Sequence, residues 1–71
     1  MRFFVAVSYN ENLLRLTPRE QGVANGLMRG LETKEIASEL KIGSDTVKKH
    51  IEKIMRKAGV DNRTALARWC L

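Results

Sequence analysis

Cysteine is almost missing from this 71-residue chain: Cys70 stands alone. No intrachain disulfide and no cysteine-rich zinc site can therefore staple the fold. The single histidine, His50, has no second ligand beside it, and neither a glycine-rich phosphate loop nor a nucleophile-base pair is present. These gaps leave no catalytic residue, no metal and no cofactor to expect, and they point away from an enzyme. Long apolar runs are lacking as well. The longest, Phe3-Phe4-Val5-Ala6-Val7, is far short of the roughly 20 residues of a membrane span and has no signal-peptide cleavage site after it. A reducing cytoplasm is the expected location. With 44% hydrophobic and 30% charged residues, one Pro and five Gly are the balance of a folded chain rather than of a collagen-like or disordered one, and the length leaves room for one small domain only.

Basic residues, by contrast, are in excess. Thirteen Lys and Arg against eight Asp and Glu leave a net charge of +5, and the isoelectric point is about 9.9. This balance favours a polyanionic partner, nucleic acid or anionic lipid, without choosing between them.

The first 15 residues read as an arm. Its aromatic and β-branched run, Phe3 to Val7, precedes a polar turn, Ser8 to Asn12, and a strand, a partner-docking segment, a flexible tail or packing on the core all fit it. From Thr17 the signals are helical. Thr17-Pro18-Arg19-Glu20 joins an N-cap hydroxyl, a Pro at the first helical position and a Glu three residues after the cap. Val23, Leu27 and Leu31 step by four behind it, and Gly30 suits the left-handed stop of a helix over about 18–29. A two-turn helix follows over Thr33 to Leu40, with Ile36, Ala37 and Leu40 on one face. Ser44-Asp45 can cap a third helix to about Lys57, Gly59 can stop it with Val60 packed beneath, and Asp61 or Asn62 can cap a last helix over 63–70.

Two short helices joined by a tight turn, the second longer and more basic, match the helix-turn-helix plan. Ala37 and Val47 supply the small and the apolar residue at which such helices cross. At about 100° per residue, Val47, Ile51, Ile54 and Ala58 share one arc of the third helix, while Asp45, Lys49, Glu52, Lys53 and Arg56 share the opposite one. Thr46, Lys48 and Lys57 lie on the flanks. Such a face reaches guanine edges and phosphates together, although an ordinary solvated face looks the same on a wheel. His50 beside the core stripe reads as a packing residue, and Met28 and Met55 as core or interface filler.

Several spaced blocks carry a family resemblance: Leu16-Thr17-Pro18-Arg19-Glu20, Gly30-Leu31, Lys34-Glu35-Ile36-Ala37, Leu40-Lys41-Ile42, Thr46-Val47-Lys48-Lys49-His50, Gly59-Val60 and Asn62-Arg63-Thr64. Together they resemble the LuxR/FixJ/NarL-type (GerE-like) helix-turn-helix DNA-binding domain, over residues 16–71. The resemblance implies an all-α, four-helix domain whose third helix reads the major groove of double-stranded DNA and whose fourth forms a homodimer contact. It places Lys48 at the basic recognition position and Thr46 and Lys34 at phosphate contacts. Lys49 is less standard and adds a base or phosphate contact, and the wheel adds Lys53 and Arg56. On the fourth helix Ala65, Leu66, Trp69 and Cys70 cannot all face one small core, which suggests an apolar strip for the dimer contact.

Three departures stand out. Lys41 occupies a turn position that is frequently Gly, so it must turn left-handed at some cost or let the turn deviate. Gly43 replaces the usual Ser cap. Glu52 would repel phosphate, and it either accepts from a cytosine amino group or pairs within the helix with Lys48, Lys49 or Arg56. The expected function is a sequence-specific transcription regulator on the bacterial nucleoid. The alternative is a helix-turn-helix adaptor that grips a protein partner through residues 2–7 and the last helix.

Overall fold

The computed structural model describes residues 11–71. A 3-10 turn, Glu11–Arg15, leads into α1 (Pro18–Met28), α2 (Thr33–Leu40), α3 (Ser44–Ala58) and α4 (Arg63–Cys70). No strand occurs among the described residues, and the all-α, four-helix expectation holds. The apolar run Phe3 to Val7 and the docking segment 2–7 lie outside the described residues.

Helix α1 starts as its sequence requires. The Thr17 hydroxyl accepts from the Glu20 N–H at 3.2 Å, and the Glu20 Oε1 accepts from the Thr17 N–H at 3.0 Å. The same carboxylate is nearly inaccessible, with 4% of Glu20 exposed, and it also accepts from the Lys57 Nζ at 2.7 Å. Lys57 reaches on to the Arg15 carbonyl at 3.4 Å. One carboxylate thus closes the first turn of α1 and ties it to the last turn of α3. Burial pushes the Glu20 carboxyl upward, but the bond and charge of Lys57 and the hydrogen bonds of Thr17 together outweigh it and hold the group below the usual carboxylate range.

Three helices end by the same device. Gly30 (φ 77°), Lys41 (φ 59°) and Gly59 (φ 73°) are left-handed. The apolar residue after each, Leu31, Ile42 or Val60, returns its N–H to a carbonyl of the helix it leaves, at Gly26 (3.0 Å), Ala37 (3.0 Å) and Met55 (3.1 Å). Leu31, Ile42 and Val60 also pack on the core. Lys41 therefore adopts the strained conformation, and the turn does not deviate. Helix α1 stops at Met28 with Arg29 as its C-cap, one residue earlier than the pattern predicts. The expected cap by Ser44 or Asp45 is not formed. Gly43, in extended backbone, is the N-cap of α3, no side chain bonds there, and Ser44 is already helical. The Gly43 carbonyl accepts the first helical bond, from Val47, at 3.1 Å. At α4 it is Asn62, rather than Asp61, whose Oδ1 accepts from the Ala65 N–H, at 2.8 Å.

The core joins Val23, Ala24 and Leu27 of α1 to Ile36 and Ala37 of α2, Val47, Ile51 and Ile54 of α3, and Leu66 and Cys70 of α4. Leu31 and Ala58, expected in the buried stripes, are half-buried at its edge. Helices α1 and α2 meet where α1 has no side chain: a Cβ on Gly26 would lie 2.6 Å from the Ile36 Cγ1. Ile36 is 1% exposed, and its burial contributes about 1.5–3 kcal/mol. The 3-10 turn is strapped to the domain by Asn12, whose Nδ2 donates to the Trp69 carbonyl at 3.0 Å. Gln21 Nε2 adds bonds to the carbonyls of Leu13 (2.9 Å) and Leu16 (3.1 Å).

Two stability predictions follow from this frame. Lys41→Gly relieves the left-handed backbone and raises unfolding free energy by about 0.5–1 kcal/mol in a denaturant titration. Glu20→Gln keeps an acceptor for Thr17 but loses the charge facing Lys57, and at pH 7 it costs about 1–2 kcal/mol. Because the folded-state carboxyl is depressed, that difference is present at neutral pH and disappears as pH falls through the carboxylate range. Wild type and variant should converge in acid.

Candidate nucleic-acid interface

The two faces of α3 are sharply divided. Val47 and Ile54 are fully buried and Ile51 nearly so, whereas Asp45, Thr46, Lys48, Lys49, Glu52, Lys53 and Arg56 are exposed. Burial of the apolar stripe turns the charged arc outward, four cations against two carboxylates along one helix. The two edges of this arc differ. On one edge Lys57 is drawn away to Glu20. On the other, Lys48 lines an open groove of about 590 Å³ with Leu31, Glu32, Thr33, Lys34, Ser44 and Arg63.

That groove brings together Lys34 and Lys48, two of the residues expected to touch DNA. Thr46, Lys49, Lys53 and Arg56 lie outside it on the exposed arc of α3. Lys34, Lys48, Lys49, Lys53 and Arg56 form no ion pair among the described residues, where the two ion pairs are Arg29 with Glu39 and Lys57 with Glu20. Five cations are thus left facing solvent. The expected intrahelical pairing of Glu52 with Lys48, Lys49 or Arg56 is not formed.

Arg63, to which the sequence pattern assigns no role, organises the groove. Its guanidinium donates to the Leu31 carbonyl at 2.7 Å and to the Thr33 Oγ1 at 3.0 Å. The first turn of α4 is thereby fastened to the segment that opens α2, next to Lys34. Only the adjacency of Arg63 to the Asn62 cap hinted at such a place, since its partners are some thirty positions away in the chain.

The strip expected on α4 divides in two. Leu66 is 0% and Cys70 1% exposed, so both belong to the core of this domain and neither is available at its surface. Ala65 and Trp69, one turn apart, are half-buried on a neighbouring face. Consecutive helical positions differ by about 100°, which separates these pairs. Burial also pushes the Cys70 thiol up, which keeps it protonated at neutral pH and unreactive. His50 is half-buried on α3, and among the described residues no group of His, Cys, Asp and Glu is arranged to hold a metal. No described helix is long and apolar enough to cross a membrane.

The family model for bacterial regulatory proteins of the luxR family matches residues 14–70. Among curated proteins, the response regulator Rre1 of Synechocystis sp. is 41% identical over 58 residues, covering 82% of this chain and 25% of its own. The transcriptional regulatory protein UhpA of Escherichia coli is 47% identical over 53 residues, 75% of this chain and 27% of its own. The probable transcriptional regulator ycf29 of Cyanophora paradoxa is 34% identical over 68 residues, 96% and 32% respectively. The chain spans about a quarter to a third of the length of these relatives.

Removing the Arg63 clamp should loosen one place only. Arg63→Ala is expected to speed amide exchange at Thr33 to Glu35 and to cost about 1 kcal/mol, and Arg63→Lys, which cannot span both acceptors, should recover less than half of the protection.

Proposed function

The chain belongs to the luxR family of bacterial regulatory proteins, and we propose that it is a DNA-binding transcription regulator, not an enzyme, that reads the major groove with α3. The observation that carries this reading is the outward arc of α3, whose unpaired cations continue into the groove holding Lys34. Lys48 and Lys49 reach base edges, and Lys34, Thr46 and Lys53 contact phosphates, with Arg56 extending the basic arc. Residues 16–71 make up the DNA-binding unit and residues 1–15 an arm. The relatives' names, response regulator and transcriptional regulator, support the same assignment.

The regulator acts as a homodimer on paired half-sites. Its contact is built on Ala65 and Trp69 of α4, with Leu66 and Cys70 behind them as the interior support that sets the angle of the helix. The adaptor alternative rests on residues 2–7, which lie outside the described residues, and on the last helix, where Leu66 is buried in the core and Trp69 is half-buried.

Fluorescence anisotropy across a salt series separates recognition from charge attraction. The chain should prefer duplexes enriched from a randomised pool over scrambled duplex by about a hundredfold or more near physiological salt. Lys48→Ala combined with Lys49→Ala should abolish that preference while the helical circular dichroism stays unchanged. Equal, steeply salt-dependent binding to every duplex, or a double variant that binds as the wild type does, would overturn the proposal.

A further inference from the structure

Of the two unpaired carboxylates on the outward arc of α3, Asp45 sits in the first turn, where the helix dipole favours it, and Glu52 is the one that DNA binding by charge does not explain. It is exposed on the outward arc, one turn from Lys48 and from Arg56 and three residues from Lys49, so three cations lie within helical reach of it. It pairs with none of them, although Glu20 and Glu39 of the same domain close ion pairs with Lys57 and Arg29. Its neighbours in the shallow depression beside it are Thr33, Lys48, Ile51, Met55 and Arg63. An uncommitted carboxylate is therefore presented in the middle of a basic surface. There it lowers attraction to phosphate on every duplex alike, a loss that a donor on a base edge would offset.

Building on the DNA-binding reading above, we propose that Glu52 is a specificity-determining residue whose carboxylate accepts from the exocyclic amino group of a cytosine in the major groove. An ionised carboxylate only accepts hydrogen bonds. The major groove offers amino donors on cytosine and on adenine alone, and on adenine the donor sits beside the N7 acceptor, which repels a carboxylate. Cytosine is the base that remains. Its guanine partner presents O6 and N7, both acceptors, to the cations that flank Glu52 on the helix. A single C·G pair thus satisfies the carboxylate and a neighbouring lysine together, whereas at an A·T pair the only amino donor lies beside N7, which repels the carboxylate. The same carboxylate weakens binding to unrelated sequence, so discrimination comes from repulsion as well as from contact.

The test uses the chain with Glu52 intact, Glu52→Gln and Glu52→Ala, each enriching duplexes from a randomised pool, with circular dichroism as the control for folding. The wild type is expected to enrich one invariant C·G pair per half-site and to lose about tenfold or more in affinity when that pair is replaced. Glu52→Ala should tolerate all four pairs there and bind unrelated duplex more tightly. Glu52→Gln, whose amide both donates and accepts, should move the preference to A·T. Variants that keep the wild-type consensus, or that gain affinity uniformly with no change of base preference, overturn the role of Glu52. A wild type that enriches no sequence overturns the DNA-binding reading itself, and this inference with it.

Discussion

A single buried carboxylate holds the frame to which everything else is attached. Glu20 caps α1 through Thr17 and receives the ammonium of Lys57 from the end of α3. Burying one charge beside a half-exposed partner is worthwhile only if its other lone pairs are satisfied, and the Thr17 N–H does this. Burial of Val47, Ile51 and Ile54 sets which way α3 is rotated, and the bond fits that rotation. With Lys57 drawn toward α1 and Val47, Ile51 and Ile54 in the core, the remaining cations can only face outward.

The start of α2 is fixed by different chemistry. Arg63 binds the Leu31 carbonyl and the Thr33 hydroxyl, so the helix proposed to carry the dimer contact also positions the start of α2 and its Lys34. Gly26 completes the frame, because the Ile36 side chain occupies the space that a Cβ would need.

Much of this was legible in the chain, for identifiable reasons. Capping and stopping are local: Thr17 and Glu20, Gly30, Gly59 and Asn62 act within a few residues of where they stand, and the helix limits fell within a residue of those read. The hydrophobic period gave the inner face of α3. What escaped were side-chain bonds between distant positions, Glu20 to Lys57 across 37 residues, Arg63 to Leu31 across 32 and Asn12 to Trp69 across 57. Spacing carries no information about these. The division of α4 failed for a related reason: Leu66 with Cys70 and Ala65 with Trp69 are equally good one-turn pairs, and only the position of α1 decides which turns inward. At the start of α3, the hydroxyl of Ser44 looked like a cap, but the chain uses Gly43 one residue earlier.

The three left-handed stops have a mechanical consequence. Each is clamped by a returning N–H and by an apolar residue seated on the core, so the four helices are joined in turn by short, stiff corners rather than by hinges. A helix mounted in this way does not tilt to accommodate an imperfect target. Where spacing or groove width differs from what the domain presents, the duplex has to deform, and the elastic cost of bending or narrowing it becomes part of the selection. Stiffness in the protein makes flexibility in the DNA a readable property.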